Sequence, residues 1–203
     1  MNKWFEKDVY IQRIWSTRYF WIHLANAELK YKFRRSRLGM LWTMVNPLIN
    51  MLILTTIFGY LFKIPRAEFA PYIFSGLVIW DFILGSTVRG CTTLLSAEQY
   101  IRQYNHPLAI YPLKTTLVNL VTFLIAIQAL NIWLVATNSK NVPLGFVTLP
   151  VTIICLFIIG WPLTIISSMI NVKYRDFSQV IAQIMLATYY VSPIFINKSD
   201  VNL

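Results

Sequence analysis

Asp81 is the only ionisable side chain within the long apolar stretches of this 203-residue chain. A carboxylate in apolar surroundings is costly, so it usually faces a wet cavity, where it can bind a proton, an ion or a polar ligand. The alternative is a hydrogen bond between helices that orders their packing. Because no Lys, Arg or His accompanies Asp81 within these stretches, we favour the structural role.

Patterns typical of enzymes are missing from the sequence. It contains no GxxxxGK[ST] loop that would cradle the phosphates of ATP. His23 and His106 lie in separate polar segments, and neither has a carboxylate or cysteine at metal-ligand spacing. No nucleophile elbow and no paired carboxylates occur. We therefore predict a protein that is not an enzyme and that carries no metal or cofactor of its own.

Five apolar stretches define the fold class. The first holds 25 residues without a formal charge, and at ~1.5 Å rise per residue it can cross a ~30 Å hydrocarbon layer as a helix. Strands of a membrane barrel would be about ten residues long and would alternate in polarity. The sequence predicts an all-α integral membrane protein with five transmembrane helices, at about 38–62, 69–88, 115–138, 145–171 and 178–197.

The distribution of Lys and Arg predicts the orientation. Nine of these 18 residues precede the first span, three lie between spans two and three, and two lie between spans four and five. A cytoplasmic N-terminus therefore places fourteen of them inside, as the positive-inside rule requires. The net charge of +10 then reflects topology and attraction to anionic membrane lipid. Nucleic-acid binding would need a basic soluble module, which the sequence lacks.

Residues 1–37 read as a cytoplasmic, amphipathic interfacial helix preceding a transmembrane domain at 38–203. Six apolar residues approximate a helical stripe, namely Ile11, Ile14, Trp15, Ile22, Ala25 and Leu29. The basic cluster at 30–37 follows, at the membrane entry. It either anchors the chain to anionic lipid or attracts an anionic lipid head towards a gate formed by Trp42 and the bend at Pro47.

Two connectors lie on the predicted cytoplasmic face. The longer, 89–114, holds a short amphipathic helix that ends at Asn105-His106-Pro107. The shorter contains Tyr174, Arg175 and Asp176. The amphipathic helix either packs in the interface or docks a soluble partner.

Three ordered motifs resemble one family. Residues 28–65 combine a basic stretch with Ser36, Leu38, Gly39, Trp42, Pro47 and Leu48; residues 99–114 contain Pro107 and Pro112; residues 171–196 contain Tyr-Arg-Asp and Ser-Pro-Ile. At these positions the chain resembles the membrane (permease) subunit of type 2 ABC exporters of polysaccharides, which include O-antigen, capsule and teichoic-acid exporters. That family continues into a sixth span, so we expect the sequence to be C-terminally truncated relative to it.

The resemblance implies a homodimer of this subunit with two copies of a cytoplasmic ATPase, which would carry the ATP and Mg. The complex would export lipid-linked polysaccharide across the bacterial inner membrane. Alternatives are a type 2 exporter of another lipid or a drug-like cargo, and a membrane-embedded acyltransferase that modifies glycans. Expected ATPase-coupling residues are Gln99, Tyr100, Arg102, Gln103, Asn105, His106, Pro107, Tyr174, Arg175 and Asp176. Expected gate or path residues are Arg34, Arg35, Trp42, Pro47, Asp81, Tyr189, Tyr190 and Pro193.

Overall fold

The structure, a computed structural model, describes residues 7–34, 36–62, 66–136 and 142–192. Within these ranges the chain forms nine α-helices and two 3₁₀ turns and contains no strand, which confirms the all-α fold class. The helices are α1 (Lys7–Ser16), α2 (Arg18–Phe33), α3 (Trp42–Phe62), α4 (Arg66–Thr87), α5 (Thr93–Ser96), α6 (Glu98–Gln103), α7 (Ile110–Ala136), α8 (Val142–Lys173) and α9 (Phe177–Val191). The 3₁₀ turns are Gly39–Leu41 and Arg89–Thr92.

Four helical segments are long and apolar enough to cross a membrane: Gly39–Leu61, Phe69–Ser96, Ile110–Val135 and Val147–Lys173. The fifth apolar helix, α9, has 15 residues, or about 22 Å at 1.5 Å per residue. It begins where the fifth span was predicted, and the end of that span, 193–197, lies outside the described residues. The chain is a multi-pass membrane protein.

Helix α7 lies at the centre of the bundle and contacts α2, α3, α4 and α8. The largest core cluster is built around α4 and α7, with Phe74 and Phe82 from α4 and Phe123 and Ile127 from α7. Half of the spanning window is buried in α4 and in α7, against 11% in α3 and 17% in α8. The apolar outer faces of α3 and α8 are therefore left for lipid or for another protein.

Helices α4 and α8 approach each other closely because α8 carries a glycine at their crossing. A Cβ built on Gly160 would lie 2.5 Å from Cζ of Phe82 and 3.1 Å from Oγ of Ser86. One turn on, Thr164 packs against Gly90 in the same manner. Small residues at such crossings let membrane helices gain packing energy where lipid supplies no hydrophobic drive.

Two helix boundaries differ from the predicted spans. Helix α7 begins at Ile110, because Pro112 falls in its first turn, where no backbone N–H is needed. Lys114 is thereby drawn into the helix, and its ammonium pairs with the Glu28 carboxylate of α2 at 2.5 Å. Helix α8 is continuous through Val142–Lys173 and extends beyond both ends of the predicted span at 145–171.

The amphipathic N-terminal segment is two helices, and its apolar stripe faces two directions. Ala25 and Leu29 are buried against Val118 of α7. Ile11 and Trp15 are each 66% exposed. Helix α2 packs onto the bundle because small and apolar residues recur on its α7 face, and the interfacial position of the segment remains a prediction.

Candidate functional site

A cavity of about 960 Å³ lies at the end of the bundle where α3, α7 and α9 begin and α4 ends. We call this end the basic end, since Lys32 and Arg89 lie there. The cavity is walled by α3, α4, α7 and α9, with the end of α2 at its mouth. Its polar and charged lining residues are Lys32, Ser36, Thr43, Asn46, Asn50, Asp81, Arg89, Asn119, Thr122 and Gln183. The rest of the lining is largely apolar, and charged and amide side chains on such a wall mark a wet interior.

The charged centre of the cavity is an ion pair between Asp81 and Arg89. Nη1 of Arg89 lies 3.1 Å from Oδ1 of Asp81, and Nη2 lies 3.3 Å from Oδ2. Nη2 also donates to the Asp81 backbone carbonyl at 2.9 Å. About half of each side chain remains exposed, 45% for Arg89 and 54% for Asp81. The sequence argument that Asp81 lacks a cationic partner is therefore wrong: the partner follows the apolar stretch and folds back into it.

Gly85 makes this return possible. Asp81, Gly85 and Arg89 are spaced by four residues and share one helical face. A Cβ on Gly85 would lie 2.5 Å from Nη2 of Arg89 and 2.9 Å from Nδ2 of Asn119. The glycine thus leaves a trough in which the guanidinium crosses α4 beside the amide of α7.

Asn119 is buried at this point, with 7% of its surface exposed. In the part of the chain that the structure describes, its Nδ2 has no hydrogen-bond partner. Buried amide donors are seldom left unpaired, because each costs about 1–3 kcal/mol of desolvation. An unpaired donor on a cavity wall indicates a place for a ligand or water.

Lys32, at the end of α2, adds a second cation at the mouth. Partial burial against the cavity wall, together with the nearby Arg89 guanidinium, lowers its pKa below the usual 10.5. The Asp81 and Glu28 carboxylates act in the opposite direction on the same pKa. The site therefore holds two cations and one lining carboxylate, and it is electropositive overall.

The structure brings together half of the predicted gate and path residues. Trp42, Pro47, Asp81 and Tyr189 all line the cavity. Arg34 is exposed at the end of α2 and outside the lining, and Tyr190 is 69% exposed beside Tyr189, with ring centroids 5.6 Å apart. Arg35 and Pro193 lie outside the described residues. The roles of all eight remain predictions.

Sequence reasoning missed several polar lining residues. Thr43, Asn46 and Asn50 recur at helical spacing within the first apolar stretch, a signal that was available. The spacing of Asp81 and Arg89 was equally visible. Asn119 gave no signal, because a single amide in an apolar helix commonly bonds a neighbouring helix.

The backbone at Gly39 explains one residue of the first motif. Its φ is +51°, a left-handed conformation that residues with a Cβ rarely adopt. The 3₁₀ turn Gly39–Leu41 then leads directly into Trp42, at the start of α3 and at the cavity wall. Pro47 lies inside α3, and the helix continues through it.

The predicted coupling segment forms the expected short amphipathic helix. In α6, Arg102 pairs with Glu98 at 2.6 Å on the exposed side, while Ile101 packs inwards against a buried cluster that includes Tyr111. Gln99, Tyr100, Gln103 and Asn105 are exposed, whereas His106 and Pro107 are partly buried. An aromatic group anchors the segment to α2: the ring of Phe20 lies 4.6 Å from that of His106 and 6.0 Å from that of Tyr104.

The second predicted connector, Tyr174 to Asp176, is also exposed at the basic end. Asn171 fixes it to the rest of that end. Its Nδ2 donates to the Cys91 carbonyl at 3.0 Å, and its Oδ1 accepts from the backbone N–H of Ser178 at 3.2 Å. The two connectors therefore lie on one face of the bundle, separate from the cavity lining, and offer a surface to a partner. Their coupling role remains a prediction.

No family model matches the chain. Similar curated proteins are the O-antigen export system permease proteins RfbA of Myxococcus xanthus and of Klebsiella pneumoniae. The first is 24% identical over 192 residues, 94% of this chain and 73% of the relative. The second is 23% identical over 171 residues, 84% of this chain and 66% of the relative.

A third relative is the polysialic acid transport protein KpsM of Escherichia coli, 23% identical over 175 residues, 81% of this chain and 65% of the relative. This chain thus matches about two thirds to three quarters of the length of each relative. These relatives are named as permeases and a transport protein, none of them an enzyme. Together with the three motifs, these matches confirm the resemblance to the permease subunits of type 2 ABC exporters of polysaccharides, to which this chain is similar over most of its length.

Proposed function

We propose that this chain is the transmembrane subunit of an ATP-driven exporter that moves lipid-linked polysaccharide across the inner membrane of a bacterium. The observation that carries the proposal is the electropositive cavity, with charged and amide side chains on its wall, within an otherwise apolar bundle. This chain is similar in sequence to O-antigen export permeases. The chain supplies a conduit and a coupling surface and performs no bond chemistry itself.

The cavity suits a sugar chain attached to an anionic lipid. Amides and hydroxyls on its wall can exchange hydrogen bonds with sugar hydroxyls. Aromatic faces stand among them: Trp80 and Tyr189 lie 5.5 Å apart at ring centroids, and both line the cavity. From Asn119 to Ala126 the lining follows α7 for about 10 Å at 1.5 Å per residue, so it reaches well into the bundle.

A second copy of the chain and an ATPase complete the proposed machine. The exposed apolar residues of α3, among them Leu52 and Ile53 at 55% and 51%, leave a face for a second copy beside the cavity. Helix α6 and the connector at Tyr174 would dock two copies of an ATPase that holds ATP and Mg. The Lys and Arg distribution places both connectors, with the N-terminus, in the cytoplasm.

A different cargo for the same type of exporter, another lipid or a drug-like molecule, is the second candidate. The names of the relatives, an O-antigen export permease and a polysialic acid transport protein, favour polysaccharide as the cargo. For the acyltransferase alternative, a cluster of histidines and carboxylates would be needed. Among the described residues no group of three or more His, Cys, Asp or Glu side chains comes together.

Export is tested in a bacterial strain that makes lipid-linked polysaccharide but lacks its own permease. The protein is expressed with the ATPase encoded beside it, and surface polysaccharide is measured by immunolabelling of intact cells. We expect surface polysaccharide to return. Polysaccharide that stays inside cells in which both proteins are present in the membrane would overturn the proposal.

Partner docking is tested separately with Arg102→Glu, which reverses an exposed charge on α6. We expect weaker recovery of the ATPase with unchanged membrane insertion, because the exposed pair with Glu98 contributes little to folding. The matched control is Arg18→Glu, a partly exposed arginine at the start of α2. Equal recovery of the ATPase by the two variants would return α6 to a purely interfacial role.

A further inference from the structure

We infer that the cavity contains an oxyanion site, formed by Arg89, Asn119 and Lys32, that holds a phosphoryl group of a lipid-linked substrate. The inference rests on the proposed function and adds to it the chemistry by which the anchor of the substrate is recognised. Asp81 is the positioning residue of this site, and Gly85 provides the space for it.

Arg89 still has donors to offer. A guanidinium carries five N–H groups in a fixed fork. The three bonds to Asp81 occupy one donor on Nη1 and both on Nη2, so one N–H of Nη1 and the N–H of Nε remain. Since 45% of the side chain is exposed and it lines the cavity, these donors can reach a phosphate oxygen.

Asn119 gives the independent indication of a ligand. Its unpaired Nδ2 and the Nη2 of Arg89 lie within 2.9 Å of one point, the position of a Cβ on Gly85. The Asn119 amide therefore lies beside the Arg89 guanidinium with its own donor unused, and an oxyanion that accepts from both side chains would satisfy it. The rival arrangement is an amide turned by 180°, whose oxygen would accept from Arg89.

Lys32 closes the site from the mouth. In the described part of the chain its ammonium pairs with no carboxylate at ion-pair distance, so its charge is not neutralised by direct contact. A bound oxyanion between Lys32 and Arg89 would offset the mutual repulsion that contributes to the lowered pKa of Lys32. The surplus of one positive charge favours an anion over a neutral sugar.

Asp81 holds Arg89 in position. A long cationic side chain at the edge of an apolar span otherwise extends towards the membrane interface. Arg89 donates hydrogen bonds to both carboxylate oxygens and to the backbone carbonyl of Asp81. These bonds turn the guanidinium back along α4 towards Asn119. Asp81 thus needs no contact with the ligand to be required for its binding.

The test measures binding to the protein in nanodiscs of zwitterionic phosphatidylcholine, without ATPase or ATP. The probes are geranylgeranyl diphosphate, geranylgeraniol and inorganic pyrophosphate. We expect the diphosphate lipid to bind at least about tenfold more tightly than the alcohol, because it accepts charge-assisted hydrogen bonds. Its affinity should fall as the salt concentration rises. Equal affinity for alcohol and diphosphate would overturn the site.

The source of the phosphoryl group is separated by two further arms. Inorganic pyrophosphate that binds as tightly as the diphosphate lipid would contradict a lipid-linked ligand. So would full competition by nanodiscs rich in phosphatidylglycerol, since the site would then hold ordinary headgroups. We expect both competitors to be at least about tenfold weaker than the diphosphate lipid.

Variants assign the residues. Arg89→Gln should weaken diphosphate binding about tenfold or more, and Arg89→Lys should restore part of it. Arg13→Gln, an exposed cation of α1 outside the lining, is the matched control and should bind as the wild type does. Asn119→Leu removes the amide without adding a charge: it should weaken binding about tenfold if the amide donates to the oxyanion, and an unchanged affinity would overturn the role of Asn119.

Monodisperse elution of each variant in size-exclusion chromatography confirms that it folds. Wild-type affinity in Arg89→Gln would overturn the site. The binding and export assays fail independently of each other. Export by a protein that does not bind the diphosphate lipid overturns the oxyanion site alone. Tight binding by a protein that does not export overturns the proposed function alone.

Discussion

Helices α4 and α7 have two differently built sides, one against α8 and one against the cavity. Against α8, polar groups pair with one another: Thr116 Oγ1 donates to Thr164 Oγ1 at 3.3 Å, and Asn171 bonds the Cys91 carbonyl. The hydroxyl of Ser86 is an exception, without a partner among the described residues. Against the cavity, two charges stay half exposed and the Asn119 amide is unpaired.

The difference separates polarity that holds the bundle together from polarity that is kept for a ligand. Glycine has a different task on each side. On the α8 side, Gly160 lets two helix backbones approach, with an aromatic ring at 2.5 Å from its absent Cβ. On the cavity side, Gly85 leaves room for a guanidinium and an amide, both at the ends of side chains. Disturbing the first should cost stability, and disturbing the second should cost binding.

Gly160→Leu should have the largest effect. Its Cβ would collide with the Phe82 ring, which is 2% exposed. Overpacking of this kind costs about 1–3 kcal/mol or more, and here it separates α4 from α8. We expect a lower melting temperature and aggregation in detergent. The control Ile158→Leu, on a 63% exposed position of α8, should melt as the wild type does.

A wild-type melting profile for Gly160→Leu would mean that the two helices are not held by close backbone approach, and the comparison between the sides would fail at its packed half.

Gly85→Ala should damage function with little loss of stability. The new methyl group displaces the Arg89 guanidinium and the Asn119 amide, and Arg89 is flexible enough to move into the half-open cavity. We expect binding of geranylgeranyl diphosphate to fall about tenfold. The melting temperature should stay within a few degrees of the wild type. A large drop in melting temperature with intact binding would contradict the assigned task of Gly85.

Apolar length and charge made the fold class readable from the sequence, because lipid admits few alternatives to helices. The amphipathic character of α6 could also be predicted from the sequence, because Ile101 faces inwards and Arg102 outwards, as the helical period requires. Such features depend on neighbours in sequence alone. The burial of Lys114 near the start of α7 does not, because Lys114 pairs there with Glu28, which lies on another helix.

The cavity could be predicted only in part. Four lining residues were selected from the sequence one at a time, namely Trp42, Pro47, Asp81 and Tyr189. The structure places all four on the wall of the same cavity. Their convergence depends on how helices far apart in sequence pack, which no spacing reveals. Arg89 was assigned to a connector because it follows the apolar stretch, whereas its side chain reaches back by two helical turns.

Lys114→Met tests whether the ion pair between α7 and α2 also positions the cavity. Lys114 is buried, with 10% of its side chain exposed, and its partner Glu28 lies on the helix that carries Lys32. Removing one member of such a pair leaves a charge with a lost partner and costs about 1–3 kcal/mol. We expect a lower melting temperature and a several-fold loss of diphosphate binding.

The double variant Glu28→Gln with Lys114→Met is the matched control, since it removes both charges. It should recover part of the stability, and the double-mutant cycle gives the coupling between the two residues. Additive losses in melting temperature would show that the pair does not join α2 to α7.

Asp81→Asn should have the smallest effect and gives the finest test of the cavity side. The amide keeps one oxygen that can accept from Nη1 of Arg89, and the backbone carbonyl still accepts from Nη2, but the charge is lost. If Asp81 only positions Arg89, we expect a loss of binding of two- to threefold, most export retained, and unchanged salt dependence, since Arg89 and Lys32 remain. Asp81→Leu removes the acceptor as well and should lose binding about as Arg89→Gln does. Complete loss of export in Asp81→Asn with normal expression would instead place the carboxylate itself on the transport path. The cavity side of α4 would then carry a carboxylate that contacts the cargo, where we assign a residue that only positions Arg89.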